Sequence, residues 1–398
     1  MSRLRILTLT SADELLRHAA AWDDLWRRSQ VALPTLQAEC LALWLRQFAP
    51  RGGLHALVVE ESGQFVAALP LVGRRLKGLV TVASLTNNAW SPCGDLLLDE
   101  SCDVPAALDV LAAAAAELPQ ALLWLEAVDG QSARWQAWQA AATRAGLTCD
   151  VHRIADVGVV DAAGGWDGFT GGLSADFRRN LRRRTRHLEE AGTLALGSWN
   201  EPAGQSSRHA PRAVIPRHTE CADYVAGQAL ASALQTAFEI EDRGWKGRKG
   251  TSILRTPGLA HYFARQAELL AARGQLALHF LTVNGEPIAF EYGYLGKGTY
   301  LAHKIGYLPE HQKAAPGHVL RWHVLGSLFE QPGFRGLDFF GPLTDAARRW
   351  MTGHYTVCRL VVCPRRALSR TLMAAYTRLW PRVRRWRAAT RDEPGVTS

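Results

Sequence analysis

Apolar and polar positions change period several times along the first half of the chain. Alternation from Arg5 to Thr8 predicts a strand, and apolar side chains three to four residues apart over 12–28 and 36–48 predict two helices. Two alternating runs, Leu54 to Glu60 and Gln64 to Leu71, flank Glu61-Ser62-Gly63 and predict an antiparallel hairpin. Strands over 95–98, 121–126 and 147–152, with helices over 104–117 and 131–145, complete a mixed α/β unit. The second half begins near Arg153 with a strand, a helix over 173–191 and a strand over 193–198. The Pro-, Gly- and Ser-rich stretch from Glu201 to Glu220 follows, and it predicts a surface insertion. Helices over 222–242 and 257–273 precede three strands, 275–283, 287–295 and 299–306. Asn284-Gly285 and Gly296 to Gly298 join these strands into an antiparallel meander. A loop, a helix over 317–329, a strand over 336–340, a helix over 344–352 and a strand over 355–362 close the pattern. The hairpin at 54–71 is similar to that at 275–295, as a duplicated fold would require.

Length changes this picture by asking for two cores, since 398 residues exceed what one usually serves. The expected divisions are an N-terminal domain over 1–152, mainly structural, a C-terminal domain over 153–365, and a tail over 366–398. Apolar residues make up 47% of the chain and Trp occurs 14 times, enough for packed cores and a ring-lined groove. The N-terminus lacks an apolar run of signal-peptide length. The Ala-rich stretch 104–118 carries Asp109 and Glu117 and is too short to span a bilayer. Seven scattered cysteines suit a reducing compartment, so a cytoplasmic location is expected.

The net charge of +9 resides in the tail, because residues 364–391 hold nine Arg and no Lys or acid. Nucleic acid is therefore not the expected partner. Leu368, Leu372, Tyr376, Leu379, Val383 and Trp386 recur at helical spacing among these arginines, with Pro381 dividing the run. Two readings stay open: a peripheral contact with an anionic membrane surface, or a terminal helix packed on the second domain.

Candidate chemistry concentrates where the strand ending at Gly306 runs into the next helix. In Gln312-x-x-Ala315-x-Gly317 small residues permit close backbone approach, and the helix start offers unpaired amides and a positive dipole end to a pyrophosphate. Leu308, Gln312, Lys313, Ala314, Ala315, Gly317 and His318 are the candidate cofactor-binding residues. Glu291, His303 and Asp338 are the ionisable groups on the central strands. Alternation puts Glu291 on a face with Ala289 and Gly293, which ranks it first as a base, with His303 second and Tyr307 a candidate acid. The arginine run on the helix over 173–191 and the glycine-flanked Trp245-Lys246 suit an anionic or sugar-like acceptor. No metal is expected, since there is no His-Glu-x-x-His or acidic cluster at ligand spacing. A covalent enzyme intermediate is not expected either.

Three segments carry a family resemblance: Phe177-Arg-Arg-Asn-Leu-Arg-Arg-Arg-Thr-Arg-His-Leu-Glu-Glu-Ala-Gly192, Glu241-Asp-Arg-Gly-Trp-Lys-Gly-Arg-Lys-Gly-Thr251, and Asp338-Phe-Phe-Gly341 followed by Arg348-Arg349-Trp350. With the loop at 308–320 and Ala67-Ala68-Leu69-Pro70-Leu71, they resemble the tandem GNAT acyltransferases of the BioF2-like and CelD-like group, related to the FemAB transferases. The resemblance implies two tandem GNAT-like α/β domains and acetyl-CoA or another acyl-CoA as co-substrate. It also implies a small-molecule, saccharide-linked or lipid-linked acceptor, in cell-envelope or exopolysaccharide synthesis. Trp245, Lys246, Arg182, Asp338 and Arg348 would then be acceptor-binding. Two departures stand out. Ala315 replaces the first Gly of the family loop, and Thr344 with Ala346-Ala347 replaces an acidic residue and a Tyr-Lys pair. An aminoacyl-tRNA-dependent FemAB-like transferase and a non-catalytic binding protein with a degenerate site remain the rivals.

Overall fold

The computed structural model describes residues 4–50, 53–76, 78, 80–198, 219–374 and 376. The predicted insertion lies outside them up to residue 218, and so does the tail beyond residue 376. The elements of the first part are β1 (Leu4–Leu9), α1 (Ala12–Arg17), α2 (Ala19–Arg28), α3 (Ala38–Phe48), β2 (Leu54–Glu61), β3 (Gln64–Leu76), β4 (Val80–Leu85), β5 (Leu97–Leu98), α4 (Val104–Ala116), β6 (Leu123–Asp129), α5 (Ala133–Arg144) and β7 (Thr148–Asp161). There follow α6 (Gly165–Gly172), α7 (Ala175–Ala191), β8 (Leu194–Ser198), α8 (Thr219–Arg243), α9 (Trp245–Arg248), α10 (Leu259–Ala272), β9 (Leu276–Val283), β10 (Glu286–Gly296), β11 (Thr299–Tyr307), α11 (Pro316–Phe329), β12 (Gly336–Asp338), α12 (Asp345–Arg348) and β13 (Gly353–Cys363).

These elements make two units, one from Met1–Gln30, Ala49–Ile154 and Val357–Ser398, the other from Val31–Phe48 and Ala155–Thr356. In the first, β1 to β4 pair antiparallel in sequence order, β4 pairs parallel with β6, and β6 pairs antiparallel with β13. In the second, β8 to β11 pair antiparallel in order, β11 pairs parallel with β12, and β12 pairs antiparallel with β7. One strand plan is thus used twice. The hairpin turns explain part of this likeness. Ser62-Gly63 and Asn284-Gly285 all hold positive φ, the geometry that lets a two-residue turn match strand twist.

The chain differs from its sequence reading in six places. The helix read over 12–28 breaks at His18, whose amide closes α1 on Leu15 and whose backbone opens α2. The strand read over 147–152 runs on to Asp161 as β7, and the last helix is a single turn. Residues 31–48 pack in the second unit, where Phe48 meets the Tyr262 ring at 4.8 Å and Arg273 reaches Gln37 and Glu39. Residues 357–363 pair with β6 in the first unit. The described start of the tail also packs on the first unit: Leu372, Met373 and Tyr376 lie against the cluster of Val82, Trp124 and Val361. No helix among the described residues is long and apolar enough to cross a membrane.

Candidate active site

The site grows from the place where β11 and β12 part. Their pairing runs from Thr299 to Leu301 only, so from Ala302 onward β10 is the one strand neighbour of β11 among the described residues. At the same place β11 carries a bulge, with Gly293 opposite Ala302 and Tyr292 opposite Lys304, which leaves His303 as the extra residue. A bulge re-aims side chains. His303 stacks on Tyr294 at 5.3 Å with Phe340 beyond, while the Lys304 ammonium lies 4.8 Å from the Phe263 centroid. Burial, and then the neighbouring Lys246, push Lys304 down to about 8. Past the bulge, Ile305 and Tyr307 reach the start of α11.

Between this strand segment and α11 lies a cavity of about 480 Å³, lined by His303, Tyr307, Gln312, Ala315, Gly317 and His318 among others, and by no carboxylate. The chain enters α11 through a tight turn over Pro309–Ala314, with Leu308 and Ala314 buried beneath it and Lys313 exposed. Ala315 then takes φ 44° and ψ 58°, a left-handed conformation that costs a residue with a Cβ about 1–2 kcal/mol. Its side chain makes no cap hydrogen bond, and Pro316 has no amide to offer. The first main-chain N–H of α11 therefore belongs to Gly317, where a Cβ would stand 3.2 Å from Ile305 Cδ1. The His318 amide already donates to the Ala315 carbonyl at 2.9 Å, so it is the Gly317 N–H, with the positive end of the helix, that this uncapped start presents to whatever fills the cavity.

Glu291 is not on the cavity wall. It is fully buried and its two oxygens take the fork of Arg321, at 2.6 Å from Nη2 and 3.3 Å from Nε. Arg321, one turn beyond Gly317 on α11, does line the cavity, with its guanidinium 4.8 Å from the Phe339 ring centroid. Opposite Glu291 on β9 stands His279, both ring nitrogens without a hydrogen-bond partner. Burial pushes its pKa down to about 4, against the opposing pull of Glu291, so the ring is neutral.

The Trp-Lys-Gly segment forms a rigid loop. Buried Glu241 accepts from Lys246 Nζ at 2.5 Å and from the Ile253 amide at 2.9 Å; Asp242 accepts from Ser252 Oγ at 2.5 Å and from Arg255 Nε at 2.7 Å. At Gly247 a Cβ would collide with the Asp242 carbonyl. Lys246 is thus held by Glu241, whereas Trp245 is 56% exposed, with Lys249 Nζ 5.3 Å from its ring. Trp245 and Lys246 border a second cavity of about 170 Å³, which shares Ile305, Tyr307 and Gln312 with the larger one.

Of the remaining residues read from sequence, Asp338 accepts from the Phe340 amide at 2.7 Å and the Tyr355 hydroxyl at 2.9 Å. Arg182 and Arg348 are exposed and border neither cavity, and Arg348 has Asp345 at 3.9 Å. Arg321, Arg184 and Arg349 were not singled out. For Arg184 the signal was present, since it shares the helical stripe of Phe177, Leu181 and Leu188.

Residues 175–348 match the family model of an acetyltransferase (GNAT) domain. Among solved structures the chain is similar to FemX, at 11% identity and a TM-score of 0.55 over 89% of this chain and 96% of that one. It is similar as well to a conserved protein of unknown function from Bacteroides thetaiotaomicron, at 11% identity and a TM-score of 0.52 over 90% and 100%. A third likeness is to the C-terminal domain of a protein assigned as a lysylphosphatidylglycerol synthetase from Agrobacterium fabrum, at 14% identity and a TM-score of 0.51 over 91% and 97%. At these identities the likeness is one of fold. No curated protein matches the chain in sequence.

Proposed function

Because the chain carries a GNAT acetyltransferase domain over residues 175–348, we propose that its second unit moves an acyl group from acyl-CoA to an amine or hydroxyl acceptor. The observation that carries this is the uncapped start of α11, open to a cavity without carboxylates beside the free-running end of β11. The pyrophosphate of the donor belongs at the Gly317 amide, with Gln312 and Lys313 on the preceding turn. The thioester then lies along β11 beyond the bulge, where a main-chain amide of that strand would take charge developing on the carbonyl oxygen.

The nucleophile enters from the smaller cavity, attacks the carbonyl carbon and displaces the thiolate. His303, on the wall of the larger cavity, takes the proton of the nucleophile, and Tyr307, common to both cavities, supplies one to the departing sulfur. Glu291 acts through Arg321, which it holds in place, and is a positioning residue. The acceptor class read from the family resemblance, a saccharide- or lipid-linked group, suits the exposed ring of Trp245, whose face offers apolar area beside polar contacts.

Calorimetry of the full chain with acetyl-CoA and with longer acyl-CoAs tests this reading. Binding in the micromolar range is expected. Absence of any CoA binding, with salt-sensitive binding of tRNA in its place, would transfer the donor role to an aminoacyl-tRNA.

A further inference from the structure

We propose that Arg184 and Arg349, together with the Nε2–H of His318, clamp a phosphate group of the donor beside the amides of α11. This rests on the acyl-CoA reading above. Segments distant in sequence bring His318 and Arg349 to the Phe177 ring of α7, the helix that also carries Arg184. The Phe177 side chain of α7 meets the edge of His318 at 5.5 Å and of Trp350 at 4.9 Å, and the Arg349 guanidinium lies 6.0 Å from its centroid. Arg184 lies on the buried stripe of the same helix and is half-buried, while Arg179, Arg182, Arg183 and Arg186 of the same run are exposed.

Position on the packed stripe sets Arg184 apart, since Arg182, Arg183 and Arg186 of the same helix likewise have no carboxylate partner among the described residues but are exposed. Arg179 has Asp176 at 2.5 Å, Arg321 has Glu291, and Arg348 has Asp345 within 4 Å. Arg184 and Arg349 have no carboxylate partner among the described residues. Their mutual repulsion is visible in Arg184, whose pKa is lowered by burial first and then by Arg349 and Arg183. A half-buried guanidinium fork at Arg184 beside the exposed one of Arg349, with nothing to neutralise either among the described residues, is a standing cost that a doubly charged anion removes.

His318 completes the clamp as a neutral donor. Trp350 Nε1 donates to His318 Nδ1 at 3.0 Å, so the proton of the neutral ring sits on Nε2. Burial, then Arg184, Arg321 and Arg349, push its pKa down to about 4, which keeps the ring uncharged near neutral pH. His318 is the third residue of α11 and lines the larger cavity, so this member of the clamp stands in the first turn of the helix whose start receives the pyrophosphate, while Arg184 and Arg349 are outside the lining. A phosphate fits better than a carboxylate, because its several oxygens can serve two forks and an imidazole N–H at once, and its charge matches theirs. Two phosphates of the donor qualify, the 3′ monoester and the diphosphate, and the experiment separates them.

The test is calorimetry of the full chain and of an Arg184→Gln/Arg349→Gln double variant with CoA and with 3′-dephospho-CoA. A double variant carrying Lys at both positions serves as a charge-retaining control. Losing hydrogen bonds to a charged group should weaken CoA binding roughly tenfold or more in the Gln variant and less in the Lys variant. A loss confined to CoA assigns the clamp to the 3′ phosphate; an equal loss for 3′-dephospho-CoA assigns it to the diphosphate. Unchanged affinity of the Gln variant for both overturns the clamp and leaves the acyl-CoA reading standing. If the parent binds neither nucleotide, that reading falls and the clamp is judged on inorganic pyrophosphate. Binding by the parent that the Gln variant loses would uphold it, and equal or absent binding would overturn it. Should the Gln double variant melt early, Arg349→Gln alone, at an exposed side chain, replaces it.

Discussion

Counted from their hairpin turns, β3 of the first unit and β10 of the second keep one register, down to the residue each leaves out of step, Val66 in one and Ile288 in the other. Matching positions then hold Leu69 opposite Leu57 in the first unit and Glu291 opposite His279 in the second. The leucines belong to a continuous apolar cluster. The helices that follow the parallel-pairing strands, β4 and β11, differ in the same sense. α4 begins on Asp103, whose carboxylate accepts from the Ala106 amide at 3.1 Å, while α11 begins on Ala315, which caps nothing. The connection ahead of α4 also spends its polar groups on itself: Asn87 Oδ1 accepts from the amides of Cys93 and Gly94, and Asn88 Oδ1 from those of Trp90 and Ser91. One copy of the frame caps its helix start with a carboxylate, and the other leaves the Gly317 amide beside a cavity.

The contrast can be broken most forcefully at Glu291. Glu291→Leu gives the second unit the side chain of the first but strands Arg321 without its partner. About 3–5 kcal/mol of stability should be lost, read from urea unfolding. Adding Arg321→Met should recover most of that stability while turnover stays absent, because Arg321 lines the cavity. If the single substitution is as stable as the parent, the buried pair does not have the role given to it.

Gly317→Asp is expected to act next most strongly, since it places at α11 a carboxylate like the one Asp103 places at α4. Acyl-CoA affinity should fall on the order of 100-fold by calorimetry, with the unfolding midpoint little changed. Undiminished binding would put the donor somewhere other than the α11 start.

Smaller effects should sharpen the comparison from both sides. Asp103→Ala removes a cap and should cost about 1 kcal/mol without touching acyl-CoA binding. Ala315→Gly relieves a left-handed alanine and should stabilise the chain by up to about 1 kcal/mol, with binding retained or improved. A loss of stability in the second case would show that the Cβ of Ala315 packs usefully despite its φ.

The amino-acid sequence by itself determined the meander of β9 to β11, the turn at Asn284-Gly285 and the start of α11 after Pro316. Each depends on residues close in the chain: period-2 alternation, a turn pair able to hold positive φ, and a proline suited to a first helical turn. It also marked Ala315 as a departure, and the chain is left-handed there. Which arginine of the α7 run turns inward was legible in principle, because Arg184 falls on the stripe of Phe177, Leu181 and Leu188. Tertiary structure alone decided the rest. Alternation places Glu291 on a face of β10 but says nothing of Arg321, whose guanidinium arrives only when α11 docks on that face. Lys246 read as a ligand-gripping cation until buried Glu241 was seen to hold it, and Arg349 rather than Arg348 stands over Phe177 because Ala347 and Trp350 are the buried residues of that turn. Periodicity records which side of an element a residue takes, whereas the charge or ring that meets it there comes from elements many residues away and exists only once they pack.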